Sequence, residues 1–112
     1  MPREAIATAP NGRANRWSAK TTETLSGTRT LTLDEIERYN AVAFDCNGAA
    51  RNLDLPAVSV CAGVYLHVRN TTAATHALTV RDATTATVIA IPAAKGAIVW
   101  CDGTSWHNVL GA

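Results

Sequence analysis

From residue 28 onward, apolar residues recur at close to every second position, and turn-forming residues interrupt them. A period of two puts alternate side chains on opposite faces of an extended chain, so the sequence reads as a succession of short, half-buried strands. The segments are TRTLTL (28–33), AVAFDC (41–46), ARNLDL (50–55), VYLHVRN (64–70), HALTVRD (76–82), TATVIAI (85–91), GAIVWC (96–101) and TSWHNVL (104–110). Turn signals every 8–12 residues or so suit an all-β sandwich or barrel. One stretch breaks the rhythm. Leu33, Ile36 and Tyr39 fall three apart, and Thr32 followed by Glu35 forms a capping box, which predicts one or two helical turns.

Three hairpins are predicted. Asn47-Gly48 tolerates positive φ and would fold 41–46 onto 50–55, placing Val42, Phe44, Leu53 and Leu55 on one buried face. The loop TTAAT would join 64–70 to 76–82, with Leu66 facing Leu78 and Val64 facing Val80. Asp102-Gly103 would join 96–101 to 104–110 and set His107 opposite Ile98. The expected fold over residues 25–112 is an antiparallel, jelly-roll-like sandwich or barrel of about eight strands.

Ala (21) and Thr (15) dominate the 112 residues, and there is one Phe. So small a domain with so few large side chains buries little area per residue. Assembly into a trimer is expected to supply the rest and to cover strand edges. The net charge of +1 argues against a general nucleic-acid binder. No apolar run of about 18 residues is present for a membrane span, and no secretory leader is read at the N-terminus. Cys46, Cys61 and Cys101 are too few for a disulfide framework and read as packed thiols of a reducing compartment.

Residues 1–24 stand apart, with Pro2, Pro10, Asn11-Gly12 and no sustained period. Arg3, Arg13, Arg16 and Lys20 against Glu4 and Glu23 give this stretch +2 and leave −1 for the rest. It is read as an extended arm that binds a partner through Arg3, Arg13, Arg16, Trp17 and Lys20, since Trp and Arg dominate interface hot spots.

Residues that could carry chemistry favour blander readings. Cys101 and His107 would lie about 10 Å apart along the strands at 3.3 Å per residue, too far for a nucleophile–base pair. No phosphate loop, nucleophile elbow or metal-ligand spacing occurs, and His67 and His76 fall on opposite sides of their predicted hairpin, so no catalytic residue, metal or cofactor is expected. Asn70-Thr71-Thr72 matches a glycosylation acceptor by chance, in a predicted loop. Trp100 and Trp106 are expected to pack a core or a subunit interface; an aromatic platform for sugars is the sharper alternative.

LDLPA (53–57), VYLHVRN (64–70), ALTVRD (77–82) and GAIVWCDGTSWHNVL (96–110), in that order, resemble small β-structured virion proteins of tailed bacteriophages, most of all head decoration (cement) proteins. The similarity spans about three quarters of the chain and excludes the arm. It implies a structural role in the virion, typically as a trimer; the expected place is the capsid exterior, assembled in the host cytoplasm, with the major capsid protein as partner. Head-fibre and tail-fibre modules carry similar sequence.

Overall fold

The computed structural model describes residues 18–73 and 75–111. Among the described residues nine strands form two sheets: β1 (Glu23–Thr24), β2 (Arg29–Thr30), β3 (Ala41–Asp45), β4 (Arg51–Asp54), β5 (Tyr65–Asn70), β6 (Leu78–Arg81), β7 (Thr87–Ile91), β8 (Gly96–Cys101) and β9 (Trp106–Gly111). A five-stranded sheet has the order β1-β3-β5-β8-β9, and a four-stranded sheet the order β2-β4-β6-β7. The predominantly β character agrees with the sequence reading.

The antiparallel pattern does not hold. From β1 to β6 the chain alternates between the sheets, so β1, β3 and β5 pair in parallel in one sheet and β2, β4 and β6 in the other. Antiparallel pairing is confined to β5–β8, β6–β7 and β8–β9. The expected jelly-roll order is therefore corrected to a mixed, coiled sandwich. Asn47 (φ 55°) and Gly48 (φ 88°) do adopt left-handed conformations, but they turn the chain from one sheet to the other rather than closing a hairpin. The 64–70 and 76–82 segments likewise lie in different sheets.

Alternation cannot separate these arrangements, because a hairpin and a coil bury the same alternate residues. Val42, Phe44, Leu66 and Val68 from one sheet meet Leu53, Leu55, Leu78, Val80 and Ile91 from the other, all essentially inaccessible. The hairpin at Asp102 forms, with the register shifted. Cys101 faces Trp106 across a four-residue connection, and His107 faces Trp100, not Ile98. All three cysteines are buried free thiols.

The helix α1 (Leu33–Arg38) starts where the capping box places it, with Thr32 Oγ1 accepting from the Glu35 backbone and Ile36 turned to the core. Arg29 ties this corner together. Its guanidinium donates to Glu23 of β1 at 2.9 Å and to both carboxylate oxygens of Glu35. The Arg29 hydrogen bonds, helped by the Thr32 N–H against partial burial, hold the Glu35 carboxyl down at about 2. Ionised Glu35 therefore stabilises the fold above its ordinary value near 4.5, and the contribution is lost as pH falls from there toward 2. The melting temperature is expected to drop across that window, and Arg29→Gln to flatten the drop. A calorimetric pH series on both proteins checks this.

At the end of β5, in the same cross-strand row as Glu23 and Phe44, lies a buried polar cluster. Asn70 donates through Nδ2 to the carbonyls of His76 and Ile91, each at 3.0 Å, and its Oδ1 accepts from the Thr72 N–H at 3.1 Å. Thr72 Oγ1 accepts from the Cys46 N–H at 2.8 Å. Both side chains are inaccessible, so the glycosylation match at Asn70 is part of the core rather than of an open loop.

Candidate functional site

Arg3, Arg13, Arg16 and Trp17 lie outside the described residues. Lys20 is within them. Its backbone N–H donates to Ala41 at 2.9 Å, and its ammonium lies 3.5 Å from Glu23. The segment 18–24, assigned above to the arm, thus runs beside β3, with Ala19 bridged to Ala41 and Glu23 paired with Phe44.

The turn after β8 brings together residues the sequence reading kept apart. His107 Nε2 lies 2.8 Å from Asp102 Oδ2 and 3.4 Å from Ser105 Oγ. Both partners meet the same ring nitrogen, whereas a serine–histidine–carboxylate relay needs the carboxylate on one nitrogen and the hydroxyl on the other. Asp102 Oδ1 meanwhile accepts the N–H groups of Thr104 and Ser105, both at 2.8 Å. The His107 bond and these two amides hold the Asp102 carboxyl at about 2. Such a carboxylate is a clamp for the turn, not a proton carrier at neutral pH. Cys101 turns inward, accepting from the Gly103 N–H through Sγ while lying 3.7 Å from the Val58 carbonyl. It sits on the opposite face of the sheet from His107. Among the described residues no group of three or more His, Cys, Asp or Glu side chains converges on a metal-sized site.

The outer faces of the two sheets differ in chemistry. On the four-stranded sheet, in register, stand Asn52, Thr79 and Ala90, then Thr30, Asp54, Arg81 and Thr87. Arg81 grips Asp54 through two hydrogen bonds of 2.7 and 3.0 Å. That face is polar, and its Arg81–Asp54 ion pair is satisfied within it.

The five-stranded sheet presents Ala19, Ala41, His67, Ile98 and Val109 in one cross-strand row. Tyr65, Trp100 and His107 form the next. Tyr65 is 50% exposed, Trp100 42% and Val109 60%. The Trp100 and His107 rings stack with centroids 4.5 Å apart. One indole face is thereby covered by the imidazole. Trp106 is unsuited to a sugar platform altogether, being 8% exposed with its indole N–H bonded to the Pro56 carbonyl at 3.2 Å.

Sequence reasoning missed this aromatic row because Tyr65 and Trp100 meet only through the β5–β8 pairing. The outward phase of Tyr65 and His67 on one strand and Ile98 and Trp100 on another was its only trace. No family model, curated protein or solved structure matches the chain.

Proposed function

We propose that this protein is a capsid decoration protein of a tailed bacteriophage, a homotrimer that binds the outside of the assembled shell and stabilises it. The observation that carries the reading is the contrast between the two outer faces. A small domain that leaves tyrosine, tryptophan, isoleucine and valine together on one sheet, and keeps the other polar, has a surface made for protein contact. Assigning that face to the trimer contact buries it, and leaves the basic N-terminal segment to reach neighbouring capsid subunits. Arg3, Arg13 and Arg16 suit bidentate contacts with carboxylates, while Lys20 at the root stays tied to the sheet. Stabilisation then follows from mass action. A ligand that binds the closed shell and not the free subunit shifts the balance toward the particle, and three linked copies multiply weak contacts.

Light scattering at micromolar concentration is expected to give about 35 kDa, three copies of 11.8 kDa. Val109→Asp, which places a charge at an exposed position, should return it to the single-chain mass with the fold intact. Purified tailless heads are expected to contain the protein in fixed ratio to the capsid subunit. Heads made without it should rupture at lower temperature and regain resistance when it is added. Heads that lack the protein, or gain nothing from it, would sink the proposal.

A further inference from the structure

Most ionic side chains of this domain have partners within it. Lys20, Arg29, Arg38 and Arg81 each lie within 3.5 Å of a carboxylate oxygen. Arg51 donates to the carbonyls of Cys46 and Asn47, and Asp45, Asp82 and Asp102 accept backbone N–H groups. Among the described residues the charged side chains left without a hydrogen bond or ion pair are Glu37, Arg69 and Lys95, all exposed. The acid and the two bases fall at opposite ends of the outer face of the five-stranded sheet.

Arg69 stands in the row after His67, between Ala43 on β3 and Gly96 on β8. Neither neighbour can pair with a guanidinium. On the other sheet, by contrast, Arg81 has Asp54 directly opposite and grips it twice. Lys95 lies one residue further along, its carbonyl accepting the Asn70 N–H at 2.9 Å. Glu37 is at the other end, in the lining of a cleft of about 330 Å³ with Asn40, Val64 and Tyr65. Asn40 donates to the Tyr65 hydroxyl at 3.3 Å. A carboxylate beside an aromatic wall suits a guanidinium, which pairs with the one and packs on the other. One chain cannot supply it from its own Arg69. Four residues separate Tyr65 from Arg69, about 13 Å along the strand at 3.3 Å per residue, which exceeds the reach of the side chain.

We infer that, in the trimer proposed above, Arg69 of one copy enters the cleft of the next and pairs with its Glu37. The inference rests on assigning this face to the subunit contact, and it fixes how the copies are turned. Charge selects a second copy as the occupant. With an acid at one end, bases at the other and an apolar middle, each end of the face complements the opposite end of another copy. Strands running along a three-fold axis would gather three Glu37 carboxylates at one end and three Arg69 guanidinium groups at the other. Strands laid across the axis set each basic end against an acidic one. Such a head-to-tail contact is heterologous, and with a three-fold rotation it closes into a ring. Tyr65, Trp100, Ile98 and Val109 then face the middle of that ring.

The test is sedimentation velocity of the full-length protein across a dilution series. Arg69→Glu and Glu37→Arg, both at exposed positions, should each move trimer dissociation to a concentration about tenfold higher or more, because each sets like charges together. Combining the two should bring it back to within about threefold of the unaltered protein, the signature of a direct pair. Circular dichroism of every variant should match that of the unaltered protein. After subunit exchange, a short bis-maleimide should join Arg69→Cys copies to Glu37→Cys copies and not to one another. Single reversals without effect, a combined variant no better than either, or crosslinks between two Arg69→Cys copies would overturn the contact, while a trimer mass in the same runs keeps the proposed assembly. A single-chain mass for the unaltered protein would remove the trimer reading itself, and this inference with it.

Discussion

Asn70→Ala is expected to cost about 3–5 kcal/mol of folding stability, the largest loss of any single polar substitution among the described residues. The side chain is wholly inside, and its amide serves three backbone groups contributed by different segments. They are the carbonyl of His76 ahead of β6, the carbonyl of Ile91 at the end of β7, and the N–H of Thr72. Alanine leaves two buried carbonyls and one N–H without partners, at about 1–3 kcal/mol each before water entry offsets part of the sum. A cavity adds to the loss. Because small domains are stable by only about 5–15 kcal/mol, that loss removes a large share of the total, and the unfolding midpoint should fall steeply. Asn70→Asp should be nearly as damaging, since it points a carboxylate oxygen at two carbonyls. Thr72→Val, which removes only the acceptor of the Cys46 N–H, should cost about 1–2 kcal/mol. Urea unfolding followed by circular dichroism measures all three. A loss below about 1 kcal/mol for Asn70→Ala would show that water replaces the amide without penalty.

The same cluster shows what a single sequence can and cannot reveal. That Leu53, Leu66, Leu78 and Val80 point inward follows from alternation, and the structure buries each of them. The helix at Leu33–Arg38 was legible because its signals are local, a capping box and apolar residues three apart. The β8–β9 hairpin was legible for the same reason, although its register was not, because Asp102 accepts two backbone N–H groups and widens the turn to four residues.

Pairing between β3 and β5, or β4 and β6, leaves no such local trace. Each connection crosses through the opposite sheet, and Asn47-Gly48 serves a corner between sheets as readily as a hairpin. A two-residue strand such as β1 is too short to show any period, which is why 18–24 read as arm. The aromatic row and the cleft at Tyr65 depend on those long-range pairings, so they became visible only with the fold.

Deleting residues 1–17 is expected to leave a folded oligomer that binds bare heads at least 30-fold more weakly. Hot-spot side chains of the Arg and Trp type are worth about 2 kcal/mol or more apiece, and 1.4 kcal/mol is a factor of ten. The fold should survive because the cut falls before Ser18, whose hydrogen bonds to Asn40 and Ala41 open the sheet's edge. Deleting 1–24 is a different experiment. It removes Ala19, Lys20 and β1, strips the partner of the β3 edge, and leaves Arg29 without Glu23. That protein should lose stability as well as head binding, and an exposed β3 edge should make it prone to aggregate. Trp17→Ala should recover only part of the 1–17 effect. Arg3, Arg13 and Arg16 remain to meet the shell, but an arm that orders on binding gives up about 1–2 kcal/mol for each residue fixed, and one large anchor fewer is left to offset it. Arg13→Ala should act chiefly on the salt-dependent part of the affinity, so its deficit should shrink as ionic strength rises. Sedimentation of purified variants with bare heads at two salt concentrations, alongside circular dichroism of the free proteins, separates these effects. If the 1–17 deletion decorates heads as tightly as the full chain, the capsid contact lies on the β domain, and the exposed face around Trp100 and Val109 becomes its most exposed candidate.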